Sequence, residues 1–159
     1  MDIKEKILEK IELKSTVSLS QLITKNFKTE RMLNSMELAT PVTIFRIQHF
    51  LRGLSSIVSE FKKQEAMSAI VKIIQTVFEQ WEYEFTEQEC FVIYHLKDLG
   101  KFRLKDDKFY TQLENEWSTF SIYRMDKSEF EQSLKDLKNL KVIDLRRGTI
   151  MFNPTVILQ

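Results

Sequence analysis

The 159-residue chain predicts a mainly α-helical fold with one small β-hairpin close to its end. Three observations support this class. Apolar residues recur at intervals of three and four over most of the chain, the spacing of a helix buried along one face. Three glycines and two prolines in the whole sequence leave little room for loops. Near the end, "LKVIDLRRGTIMFNPTVIL" abandons the helical rhythm for short apolar runs on either side of Arg147 and Gly148, the pattern of a hairpin.

The first elements follow in order. "DIKEKILEKIEL" puts Ile3, Ile7, Leu8 and Ile11 on one helical face, and "SLSQLITKNF" does the same with Leu19, Leu22, Ile23 and Phe27. "TERMLNSMEL", with Met32, Leu33 and Met36, predicts a third short helix. At "ATPVTIF" Thr40 reads as a helix cap and Pro41 as the first helical residue, where a missing N–H costs nothing. A stripe of Phe45, Ile47, Phe50, Leu51, Leu54, Val58 and Phe61 follows; after "KKQE" comes a second, of Met67, Ile70, Val71, Ile74, Val77, Phe78 and Trp81. Gly53 is tolerated within it at about 1 kcal/mol. Residues 41–84 are therefore one very long helix or two helices with a turn near Lys62–Glu65, and the polar gap favours two. Stripes this apolar pack on the chain's own core or on a second copy, so a homodimer through 41–84 is expected beside the intramolecular alternative. "WEYEF" at 81–85 alternates like a strand and marks a junction.

Beyond it, Thr86 and Glu89 make a capping box in "FTEQECFVIYHLKDLG", and Gly100 is a natural C-cap. "KFRL" (101–104) reads as a short strand, and "KDDKFYTQLENEW" as a helix with Phe109, Tyr110, Leu113 and Trp117 inward. After the connector "STFSIYRM", the helix "DKSEFEQSLKDLKNLK" is capped by Asp126 and Glu129 and buried along Phe130, Leu134 and Leu137. The chain thus divides into a helical region over 1–85 and a second unit over 86–159. Helix, short strand, helix, connector, helix, strand, strand is the order of a winged helix-turn-helix domain, and the second unit resembles that superfamily.

The resemblance implies a C-terminal winged-helix domain that contacts double-stranded DNA, with "DKSEFEQSLKDLKNLK" as its recognition helix. At 100° per residue the direction away from the buried stripe carries Ser128, Gln132, Lys135 and Asn139, types that suit base edges and phosphates. Lys127 and Lys138 flank them, while Glu131 and Asp136 oppose phosphate unless paired; the alternative is a solvated face with charges linked at i, i+4. Arg146 and Arg147 fall where a wing touches the backbone or minor groove, although arginines are common on hairpin surfaces. The tail "RRGTIMFNPTVI" is similar to the closing segment of winged-helix replication initiators of Firmicute plasmids and phages. There a wing strand runs into Asn-Pro and an apolar pair, here Asn153, Pro154, Val156 and Ile157. The tandem of helices and winged helix is equally similar to dimeric transcription regulators.

Other chemistry finds little support. No glycine cluster could cradle a nucleotide phosphate. His49, His95 and Cys90 lack the spacing of a helical metal site, and His95 and Cys90 read as core residues. Asp106–Asp107 and Glu114–Glu116 read as helix-start and surface charges, so no catalytic residue, cofactor or metal is expected. One cysteine, no signal-like start and no long apolar run predict a cytoplasmic protein without a membrane span. The chain carries 24 Lys/Arg against 23 Asp/Glu. The second unit balances at twelve of each, and phosphate affinity then depends on local arrangement. Three functions remain open: a DNA-binding transcription regulator, a neutral module that docks on a partner protein, or a protein like the plasmid and phage replication initiators.

Overall fold

The computed structural model describes residues 3–11, 16–33, 39–99 and 103–158. Among them the chain is mainly α-helical, with seven α-helices and six short strands in two antiparallel sheets. The first half holds α1 (Ile3–Lys10), α2 (Thr16–Asn26), β1 (Phe27–Leu33), β2 (Ala39–Phe45), α3 (Ile47–Ile57) and α4 (Lys63–Glu79). The second holds α5 (Glu87–Leu96), β3 (Leu104–Lys105), α6 (Asp106–Trp117), α7 (Lys127–Asn139), β4 (Ile143–Arg146), β5 (Thr149–Phe152) and β6 (Val156–Leu158).

Two expectations fail in the first half. The third short helix at 29–38 is instead β1, with 34–38 outside the described residues, and the helix start at Thr40–Pro41 is instead β2. Met, Leu, Glu and Arg in 27–33 favour helix on their own. That preference yields to pairing with β2, register Phe27↔Phe45 through Leu33↔Ala39, whose Thr, Val and Ile fit a pleated surface. Pro41 can sit in this strand because β6 pairs only with Thr43–Phe45. At Pro41 the chain has one strand neighbour, so the missing donor breaks no second ladder. Phe45 therefore belongs to the strand, where its ring stacks on Phe27 at 4.4 Å and meets Phe50 and Phe78 edge-on.

The long stripe is broken into two helices, as the polar gap suggested. A 3-10 turn at Val58–Glu60 ends α3, extended backbone at Phe61 and Lys62 follows, and α4 starts at Lys63. Ile47, Phe50, Leu51 and Leu54 of α3, and Met67, Ile70, Val71, Ile74, Val77 and Phe78 of α4, are buried within the single chain. "WEYEF" forms a turn rather than a strand, with Glu82 in the left-handed region at φ 65°.

In the second half, both capping boxes form: Glu89 N–H donates to Thr86 Oγ1 at 3.1 Å and Glu129 N–H to Asp126 Oδ1 at 2.8 Å. Gly100, the expected C-cap, lies outside the described residues, and so does half of the expected strand at 101–104. The strand begins later, at Leu104. α7 ends with Lys141 at φ 63°; the N–H groups of Lys141 and Val142 donate to the carbonyls of Lys138 and Leu137. This is a Schellman closure with lysine where glycine is usual, and it turns the chain into the hairpin. The sheet order is β3-β5-β4. β6, unforeseen in the sequence, leaves the second half and pairs with β2, and one hydrophobic cluster runs from Ile7 to Leu158. No helix among the described residues is long and apolar enough to cross a membrane.

Candidate nucleic-acid interface

α7 and the hairpin carry all seven residues singled out for DNA contact. α7 buries Phe130, Ser133, Leu134 and Leu137, so the opposite direction faces water. Lys127, Ser128, Gln132, Lys135 and Asn139 are exposed on α7, and Arg146 and Arg147 on the hairpin.

Exposure does not leave all of them available. Lys127 Nζ donates to Asp107 Oδ1 on α6 at 3.1 Å, and this hydrogen bond raises the lysine pKa. Gln132 Nε2 donates to Asp136 Oδ1 at 3.1 Å. Arg146 Nε lies 3.1 Å from Asp144 Oδ2, although the arginine side chain is still 85% exposed. Lys135, Arg147, Ser128 and Asn139 remain.

The flank of α7 facing α5 is acidic. One groove there, about 590 Å³, is bordered by Glu89, Glu129, Glu131 and Asp136 with Lys135 as its one base. A smaller depression of about 240 Å³ next to it collects Glu82, Glu84, Glu89 and Asp136 around Asn139. Burial pushes the Glu89 carboxyl up, and the Asp136 charge adds to the rise. Glu131 and Asp136 thus interrupt a continuous positive face on this helix.

The hairpin has the opposite balance. Its turn is the pair Arg147–Gly148 at φ 51° and 75°, both left-handed as a type I′ turn requires. The Asp106 N–H donates to the Gly148 carbonyl at 2.8 Å, which pins the turn to the start of α6. The register Lys105↔Thr149↔Arg146 and Asp144↔Met151 places these five residues on one face of the sheet, with Ile143, Ile150 and Phe152 buried on the other. Arg103, just before β3, borders the same face. Arg103, Asp144, Arg146, Arg147, Thr149 and Met151 line a depression of about 590 Å³. Arg103 was missing from the sequence reading, which sought contacts on α7 and the hairpin turn; its place beside Arg146 and Arg147 is a tertiary one.

Cys90 lies in the core and His95 at its edge. His95 donates Nδ1–H to the Phe91 carbonyl at 2.8 Å, and burial holds its pKa below the ordinary value. Burial drives the Cys90 thiol far up, which keeps it protonated and unreactive. Asn153 is a clamp: its Nδ2 donates to the Lys141 carbonyl at 2.7 Å and its N–H to the Val142 carbonyl. Among the described residues no group of three or more His, Cys, Asp or Glu could hold a metal. No protein-family model, curated protein or solved structure matches this chain.

Proposed function

We propose that this chain is a DNA-binding protein of the winged-helix type, acting as a transcription regulator. The observation that carries the reading is the order of the C-terminal elements together with the sheet they make. The strand between the first two helices pairs with the second hairpin strand, giving β3-β5-β4, and the exposed helix α7 immediately precedes the hairpin. A fold does not fix a function; the polar outer face of α7 and the arginines of the hairpin turn the reading toward DNA. The proposal extends to a homodimer. The apolar stripes of α3 and α4 are taken up by the chain's own core, so a dimer through residues 41–84 would use the other faces of these helices.

A second reading rests on the acidic flank of α7. Glu82, Glu84, Glu89, Glu129, Glu131 and Asp136 oppose entry of that side into a groove of DNA and would suit a protein partner instead. Retention of a fluorescent random duplex over a salt series separates the two. Binding that weakens steeply with salt supports DNA, and absence of retention near 50 mM salt leaves the protein-interaction reading.

A further inference from the structure

A cleft of about 490 Å³ opens where α3 and α4 of the first half meet α5 and α6 of the second. Small-molecule pockets have volumes of roughly 300–1,000 Å³. Its apolar wall is made by Met67, Ile70, Tyr94 and Phe120, all buried. The polar groups around that wall form an incomplete set. Lys97 is satisfied within the chain: Nζ donates to Asp98 Oδ2 at 3.3 Å and lies 3.6 Å from the centre of the Tyr94 ring. Lys63 is not. Its ammonium lies 5.4 Å from the centre of the Phe120 ring, with no carboxylate partner among the described residues. His95 and Glu116 show the opposite gap. The Phe91 carbonyl takes Nδ1–H of His95, so Nε2 of the neutral ring carries a lone pair. Glu116 Oε2 lies 3.7 Å from that nitrogen, which leaves two acceptors side by side without a donor. A proton on Nε2 would resolve this only by charging a side chain that is 13% exposed. A donor from outside resolves it beside a carboxylate that is 44% exposed.

We infer that this cleft binds a free α-amino acid with an apolar side chain. Its ammonium donates to His95 Nε2 and Glu116, its carboxylate is held by Lys63, and its side chain lies against Met67, Ile70 and Phe120. Each group of such a ligand fills one gap in the cleft. An amine alone leaves Lys63 without a counter-charge, and an acid alone leaves the two acceptors unpaired. The charges of the cleft balance, Lys63 and Lys97 against Asp98 and Glu116, so a zwitterion enters without upsetting them. Charge-assisted hydrogen bonds at both ends fix its orientation. The inference goes beyond the DNA-binding reading and stands without it, because no residue of α7 or the hairpin lines the cleft.

The test is titration of the intact, isotope-labelled chain at neutral pH, followed by its amide NMR shifts. The probes are L-leucine, L-phenylalanine, isoamylamine, isocaproate and glycine; the last three each lack one of the three ligand groups. The amino acids with apolar side chains should shift the amides of α4 and of the end of α5 saturably. The three truncated probes should bind about 10- to 100-fold more weakly than L-leucine, the value of one charge-assisted hydrogen bond or one buried leucine side chain. Glu116→Gln should weaken L-leucine and isoamylamine but not isocaproate. Lys63→Gln should weaken L-leucine and isocaproate but not isoamylamine. Both side chains reach solvent, and the comparison of probes on the unaltered chain stands without either variant. The site is overturned if neither L-leucine nor L-phenylalanine gives a saturable shift up to about 10 mM, or if the shifts lie away from the cleft. It is equally overturned if isoamylamine, isocaproate or glycine binds as tightly as L-leucine. Duplex retention is measured separately, so failure here leaves the DNA-binding reading where it stood.

Discussion

Replacing Arg147 by Asn should make the protein more stable and a weaker binder at once. Both residues of the turn have positive φ, 51° at Arg147 and 75° at Gly148. A left-handed conformation costs an ordinary L-residue roughly 1–2 kcal/mol, and Asn visits it more readily than Arg because its short polar side chain can bond locally. Asn should recover part of that cost, about 0.5–1 kcal/mol. For a chain of this size, 1 kcal/mol corresponds to about 2–4 °C in melting temperature, so a rise of about 1–4 °C is expected. Thermal unfolding by circular dichroism measures it, with a urea midpoint as a check on the slope. A fall of more than about 2 °C would mean that the Arg147 side chain makes stabilising contacts in the native state. Those contacts would then offset the strain of the turn. A rise accompanied by unchanged DNA affinity would remove the DNA contact while keeping the strain.

Other consequences concern the core. Leu158 is 1% exposed and sits in β6 opposite Thr43; Leu158→Ala should cost about 3 kcal/mol. It should lower the midpoint of a single transition, because β6 joins the two halves through one core; two resolved transitions in calorimetry would contradict that coupling. His95 gives a pH dependence. Burial lowers its folded-state pKa below the ordinary 6.5, so the unfolded chain takes up the proton first. The contribution to stability is full above pH 6.5 and is lost as pH falls from there through the folded value. Glu89, with its pKa raised, acts in the opposite sense: its contribution is full below the ordinary 4.5 and is lost as pH rises from there through the folded value. The difference between the unaltered protein and His95→Gln isolates the histidine, and a pH-independent difference between 5 and 7 would refute it. Light scattering of the intact chain tests the dimer, and a monomer at high concentration would count against it.

What could be foreseen from the sequence followed the range of the interaction. Thr86–Glu89 and Asp126–Glu129 lie three residues apart, and both capping boxes were legible because their geometry is local. Gly148 marked the hairpin turn for the same reason. β1 and β2 were not legible. The helix-favouring residues of 27–33 and the cap-like Thr40–Pro41 are overridden by pairing with one another, which no local window contains. β6 is three residues long and finds its partner in the opposite half of the chain. At the candidate site, helical periodicity predicted correctly which α7 side chains are exposed. It could not show that Asp107 takes Lys127, because that carboxylate lies on another helix. Arg103 became visible only in the folded chain, where it borders the same depression as Arg146 and Arg147.

The most direct measurement is the affinity of the intact protein for random duplex DNA between 50 and 200 mM salt. The account predicts that log affinity falls with log salt at a slope of about −2 to −3. A chain that retains no duplex near 50 mM salt, or one whose affinity is indifferent to salt, would contradict it.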